Sequence, residues 1–240
     1  MSNGSCPDGS IDDVAEPKEA LTRDLLHTGA FEQMFLKEAP TLRLLSASER
    51  EASLTSTLAE RPDGPIWVFA YGSLIWNPVI ATVERRIARV EGWHRSFCLS
   101  ATAGRGSIAA PGLVLALDEG GYCEGLAYRL DDTTALAELS ILWRREMVAG
   151  SYLPRWLRMY DRAGSPFGFG LAFTASPEHP SYAGNLDRET IVCRLATASG
   201  GLGTAASYLM MTRDELRKHG IPDPEIESLA RLVEAVSGKG

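Results

Sequence analysis

The sequence predicts an α+β fold, and three observations predict it. Between residues 66 and 175 short apolar stretches recur at close intervals and are cut off by glycine or proline, the pattern of a mostly antiparallel sheet or small barrel. Apolar residues at helical spacing fill residues 18 to 60, and that spacing returns at 132 to 147 and through the last third of the chain. Strands so closely spaced do not read as a parallel sheet wound with helices.

In chain order, residues 1 to 17 are rich in Gly, Ser, Asp and Pro and offer little to bury, so they are expected to be a disordered tail. Residues 18 to 60 read as a helical N-terminal extension, with Leu21, Leu25, Leu26, Phe31, Phe35 and Leu36 on one pattern and Ser46 or Ser48 placed to cap a further helix. The turn cluster RPDGP opens the main domain, 61 to 238. Directly after it, IWVFAYG reads as a buried strand that ends at glycine. Further strands are expected at 82–93, 94–101, 112–118, 122–130, 152–161 and 167–175, with Gly120-Gly121 and Gly164 among the turns between them. The segment DTTALAELSILWRREM is an amphipathic helix that Asp132 or Thr133 can cap. Closing helices are expected near 187–198, 204–219 and 223–237, and Thr212 with Glu215 has the spacing of a capping box.

Composition removes several classes of function. A formal net charge of -7 with no Lys/Arg-rich run argues against a nucleic-acid partner, whose phosphates need a clustered basic face. No apolar stretch reaches the roughly 20 residues of a membrane span, and the polar, acidic N-terminus lacks the pattern of a signal peptide, so a cytoplasmic protein is expected. Cys6, Cys98, Cys123 and Cys193 show neither zinc-site spacing nor a stapled framework, and reduced thiols are the simpler reading. Cys98 and Cys123, in apolar strand patterns, are expected to be buried and inert.

Two stretches could carry chemistry. Tyr71-Gly72-Ser73-Leu74-Ile75-Trp76-Asn77-Pro78 leaves the buried strand at a glycine, which lets the chain turn sharply and converge backbone N–H groups on an anion or a carbonyl oxygen. Taken alone it also reads as a structural turn with core aromatics. Glu146 closes the amphipathic helix between apolar Trp143 and Met147. Desolvation there would raise a carboxyl pKa toward the range of a general base, against the pull of Arg144 and Arg145; taken alone, a glutamate after two arginines reads more often as a solvated helix face. Ser73 has no GxSxG elbow, the histidines show no triad spacing, and Gly200-Gly201-Leu202-Gly203 lacks the Lys-Ser/Thr of a phosphate loop.

In order along the chain, WVFAYGSLIWNP, RVEGWHRSFCL, APGLVLALDEGGYCEGLAYRL and LWRREMVAGSYLPRWL resemble the ChaC-type γ-glutamylcyclotransferases. The likeness continues through His179-Pro180-Ser181-Tyr182 and Ser207-Tyr208-Leu209 and covers roughly residues 65 to 235, leaving residues 1 to 60 outside it. It implies a γ-glutamylcyclotransferase-like fold, a small mixed β-barrel with surrounding helices. It also implies a lyase that cleaves glutathione to 5-oxoproline and Cys-Gly in the cytoplasm, needing no cofactor or metal. By the same resemblance Tyr71, Gly72, Ser73 and Leu74 bind the γ-glutamyl moiety, Glu146 is the catalytic acid/base, and Arg105 and Tyr208 lie near the substrate. The loop whose family pattern is Arg-Gly-Thr-Pro-Glu reads Arg105-Gly106-Ser107-Ile108-Ala109 here, so the family's acidic side chain is missing.

Glutathione carries its own nucleophile: attack of the glutamyl α-amine on the γ-carbonyl closes a five-membered ring and expels the amine of Cys-Gly. The alternatives are a cyclotransferase for other γ-glutamyl peptides or amines, or a non-catalytic γ-glutamyl-binding protein. A monomer with only the small-molecule substrate as partner is the default expectation.

Overall fold

The computed structural model describes residues 21–238. The expected tail of residues 1 to 17 lies outside the described residues. Three helices come first: α1 (Arg23–Thr28), α2 (Ala30–Glu38) and α3 (Ala47–Ala59). Gly29, at φ 77°, separates α1 from α2 in a left-handed conformation that a side chain would strain. Ser46 caps α3 in a complete capping box. Its Oγ accepts the Glu49 N–H at 3.2 Å, and Glu49 Oε2 accepts the Ser46 N–H at 2.8 Å. Ser46→Ala is expected to cost about 1 kcal/mol, read as a lower urea midpoint at unchanged m-value. An unshifted midpoint would mean that tertiary contacts alone hold α3.

The strands β1 (Trp67–Ala70), β2 (Glu84–Ala101), β3 (Gly112–Arg129), β4 (Tyr152–Tyr160) and β5 (Pro166–Ala175) close into a barrel in the order β1-β3-β2-β4-β5. The pairs β1–β3, β2–β3, β2–β4 and β4–β5 are antiparallel, and the closing pair β5–β1 is parallel. Every residue of β1 is buried, as a strand covered on both faces must be.

The expected pairs of short strands at 82–93 with 94–101, and at 112–118 with 122–130, are each one strand of 18 residues. The reason is a bulge. Glu91 pairs with Tyr122 and Trp93 with Glu119, so Gly92 faces both Gly120 and Gly121, and the ladder bends there without ending. Positive φ values at all three glycines, 79°, 106° and 65°, make the bend possible.

Helices pack around the barrel: α4 (Ser73–Trp76), α5 (Ala135–Glu146), α6 (Arg188–Thr197), α7 (Ala205–Lys218) and α8 (Pro224–Ser237). A small hairpin, β6 (Ser199–Gly200) with β7 (Gly203–Thr204), joins α6 to α7. Two capping expectations fail. Helix α5 starts after Thr134 with no side-chain cap, because Asp131 Oδ1 takes the Thr133 N–H at 2.9 Å one turn earlier. Thr212 lies inside α7, where its hydroxyl donates to Tyr208 O at 2.9 Å; the true cap is Thr204, whose Oγ1 accepts the Ser207 N–H at 2.9 Å.

The main core joins barrel residues such as Phe69, Leu115, Leu126 and Phe173 to Leu142 and Leu209 of the helices. A second cluster, Leu26, Phe31, Ile141 and Val148, fastens the N-terminal helices to α5. Cys98 and Cys123 are buried free thiols, and burial pushes them up to about 12 and about 11. The expectation of reduced thiols throughout fails at Cys193, which is disulfide-bonded; half-buried on α6, its sulfur can meet a partner that sequence spacing does not reveal. Among the described residues no helix is long and apolar enough to cross a membrane.

Candidate active site

The site forms where β2 ends and β3 and β4 begin, beside the turn that leaves β1 and the last turn of α5. Arg95, 6 % exposed, fixes that turn from below. Its guanidinium donates to Tyr71 O, to Glu124 O at 2.6 Å and to the Asp223 carboxylate at the start of α8, so one buried cation ties β1, β3 and α8 together.

Tyr71 points into the core, and its hydroxyl donates to Phe173 O at 2.5 Å. Gly72 then reverses the chain at φ -135°, ψ -126° and opens α4. A Cβ on Gly72 would stand 3.1 Å from the Tyr208 hydroxyl and 3.4 Å from Leu115, so the absence of a side chain is what admits Tyr208. Gly72→Ala is therefore expected to displace the phenol by a few tenths of an ångström and lower kcat/KM by about tenfold with little loss of stability. Steady-state kinetics beside a melting curve checks this; an equal loss of both would make Gly72 a packing residue only.

A cavity of about 690 Å³ opens above the turn, within the size range of small-molecule sites. Of the residues singled out in the sequence, Ser73, Arg105, Glu146 and Tyr208 line it. Tyr71, Gly72 and Leu74 lie behind it, Leu74 in the main core. The Ile75 N–H donates to Gly72 O at 2.9 Å, while the N–H groups of Ser73 and Leu74 that open α4 have no carbonyl within the helix to receive them.

Among the described residues lining the cavity, Glu146 is the one carboxylate. Its side chain is 11 % exposed. Burial pushes its carboxyl above the usual carboxylate range, and the adjacent Arg145 guanidinium pulls it only part of the way back. Arg145 Nε stands 2.8 Å from Glu146 Oε1, an ion-pair distance, yet the approach is not aligned for a hydrogen bond and Oε1 is left buried without a donor.

Three residues not expected as site residues from the sequence complete the site. Arg145, 7 % exposed, donates to Ser73 Oγ at 2.7 Å and to Asn77 O, which binds the α4 segment to Glu146. Tyr152 donates to Leu115 O at 2.9 Å, with its phenol kept protonated by burial and by Glu146. Trp76 meets Tyr208 edge-on at 5.9 Å between ring centroids. The pairing of Arg145 with Ser73 spans 72 residues, and no local pattern announces it.

Arg105 reaches the cavity from the loop between β2 and β3. It donates to Thr204 O at 3.2 Å and Ser207 Oγ at 2.9 Å, and lies 5.6 Å from the Tyr208 ring centroid. Burial holds its guanidinium below the usual arginine value, with Tyr208 acting against that and Arg145 adding to it. Burial and Glu146 together raise the Tyr208 phenol, so it stays an O–H donor.

The fold and site define a class: a small closed barrel with helical cover and a cavity holding one desolvated carboxylate and two buried arginines. The family described as ChaC-like protein matches residues 66–238, and the chain belongs to it. The glutathione-specific gamma-glutamylcyclotransferase of Escherichia coli (strain K12) is 44% identical over 210 residues, 87% of this chain and 90% of the relative. Human glutathione-specific gamma-glutamylcyclotransferase 1 is 34% identical over 175 residues, 71% of this chain and 78% of the relative. The crystal structure of a yeast gamma-glutamyl cyclotransferase specific to glutathione matches the fold with a TM-score of 0.66 at 18% identity, covering 72% of this chain and 97% of that one. An alignment of 210 residues is too long to fit after residue 65, so the likeness to the bacterial relative enters the N-terminal helices, which the motif resemblance alone leaves out.

Proposed function

We propose that this chain is a glutathione-specific γ-glutamylcyclotransferase, a lyase that converts glutathione to 5-oxoproline and Cys-Gly. The observation that carries the reading is the charge arrangement of the cavity. The γ-glutamyl end of glutathione brings one ammonium and one carboxylate, and the cavity offers one desolvated carboxylate, Glu146, and one buried guanidinium, Arg105, while Arg145 is engaged with Ser73, Asn77 and Glu146. Burying so many charges is tolerable only when each meets its opposite.

In this reading the glutamyl ammonium rests on Glu146 and the glutamyl carboxylate on Arg105. The γ-carbonyl oxygen meets the N–H groups of Ser73 and Leu74 and the Tyr208 hydroxyl. Glu146 takes a proton from the ammonium, and the freed amine attacks the γ-carbon. The C–N bond of the ring forms and charge gathers on the carbonyl oxygen; the bond to the cysteinyl nitrogen breaks as Glu146 returns the first proton to it, and the ring nitrogen gives up its second proton as the departing amine takes one to leave as an ammonium. The folded-back geometry replaces chain entropy with proximity. Tyr71, Gly72 and Leu74 contribute from behind, by placing Ser73 and Tyr208.

The enzyme acts as a cytoplasmic monomer in this account, which sedimentation and fractionation test directly. Substrate choice is tested with glutathione, γ-glutamyl dipeptides and γ-glutamyl-lysine side by side. Preferred turnover of glutathione supports the proposal, preferred turnover of another compound replaces the substrate, and binding without turnover of any replaces the activity.

A further inference from the structure

The proposed reaction uses lining residues from α4 onward and leaves the wall contributed by the N-terminal segment without a role. That wall is Leu21, Phe31, Phe35, Thr41, Leu42 and Arg43, all of which precede the region matched by the family. It is tied down at several points. Leu21 O accepts from Asn77 Nδ2 at 2.8 Å, Leu26 O accepts from Arg144 at 3.1 Å, and the Leu45 N–H donates to Val148 O at 2.9 Å. Glu38 Oε2 accepts the Gly104 N–H at 2.6 Å, next to Arg105. A segment held to α4, α5 and the β2–β3 loop is a fixed wall of the site.

Its chemistry is apolar with one cation. Arg43 stands at the rim with a side chain 72% exposed and pairs with Glu49, whose carboxylate is already fixed by the α3 capping box. With the γ-glutamyl end committed to Glu146 and Arg105, the rest of the substrate extends toward this wall. A thiol suits Phe31, Phe35 and Leu42, and a terminal carboxylate suits a cation that keeps contact with water.

We infer that the N-terminal wall is the leaving-group subsite, with Arg43 receiving the terminal carboxylate of the departing dipeptide. This rests on the function proposed above and adds the residue that reads the far end of the substrate. The wall then discriminates substrates by the amine or peptide joined to the γ-glutamyl group, while the residues at Glu146 recognise the part that all γ-glutamyl compounds share.

The test is Arg43→Gln in the full chain, assayed with glutathione and with its C-terminal amide, in which only the terminal carboxylate is neutralised. For the wild type, kcat/KM is expected to favour glutathione over the amide by about fivefold, the modest size reflecting the exposure of Arg43. In the variant that preference is expected to disappear through a higher KM for glutathione, with kcat held. A variant that keeps the wild-type preference overturns the inference while leaving the cyclotransferase reading intact. A variant that loses both substrates equally also overturns it, since Arg43 would then act on the fold. Wild-type protein that turns over neither substrate would overturn the proposed function and this inference with it.

Discussion

Glu146→Gln is expected to lower kcat by about 10² to 10⁴, the usual size for loss of a positioned acid/base, with KM for glutathione changed far less. Glutamine keeps the shape of the side chain and removes its capacity to take a proton. The wild-type enzyme should also lose kcat/KM as pH falls through the Glu146 pKa, because only the ionised form is a base. Burial raises that pKa above its ordinary 4.5, so the acid limb must lie above the ordinary carboxylate range. Pre-steady-state and pH-dependent kinetics on both proteins check the pair of statements. A variant within threefold or so of wild type would remove Glu146 from the chemistry.

Arg145→Met is expected to give the second largest effect, on stability and on the pH profile together. Its guanidinium serves Ser73 Oγ, Asn77 O and Glu146 at once, and an apolar replacement leaves a buried carboxyl without its counter-charge. The loss of stability should be about 3 kcal/mol at neutral pH, the low end for a broken buried pair, since Glu146 can protonate in place of holding an unpaired charge. Without the cation the Glu146 pKa rises further, and the acid limb of kcat/KM moves to higher pH. The linked stability has a definite sign. A carboxyl whose pKa is raised by folding contributes stability fully below its unfolded pKa, and that contribution is lost as pH rises through the folded pKa. The variant should therefore fall further behind the wild type as pH rises and recover part of the gap on acidification. Urea melts across the pH range read this directly. A gap that narrows as pH rises, or an unmoved acid limb, would contradict the pairing.

The fold was legible in the sequence where the signal was local. The run Trp67–Ala70 announced a buried strand by composition, and the helices α6, α7 and α8 lie where closing helices are expected, although the residues that cap them, Asp187, Thr204 and Asp223, are not singled out in the sequence. The long strands were not legible as such, because glycine marks a turn and a bulge equally well, and only the pairing of Gly92 against Gly120 and Gly121 decides between them. Thr212 misled for a related reason: a threonine three residues before a glutamate caps a helix only where no earlier turn has already begun one.

At the site, Glu146 taken alone reads more readily as a solvated helix face, and it is the family resemblance that singles it out; in the structure burial outweighs the arginine beside it. Arg145, which in the sequence counts only as a charge opposing the carboxyl shift, is the brace between α5 and α4. Tyr152 looks like any strand tyrosine, and Arg43 lies in a segment with no motif of its own. Both reach the cavity only through the closing of the barrel and the docking of the N-terminal helices. Tyr71 and Leu74 belong to the recognisable loop yet face the core, so a motif located the turn without telling which of its side chains meet the cavity.

In the proposed reaction the substrate attacks itself, and the most direct test is turnover of glutathione in water labelled with heavy oxygen. Mass spectrometry of the products is expected to show unlabelled 5-oxoproline and Cys-Gly in equal amounts, because ring closure takes no atom from solvent. Glutamate carrying one heavy oxygen would contradict the account, since it would mean that water, and not the α-amine, attacks the γ-carbonyl.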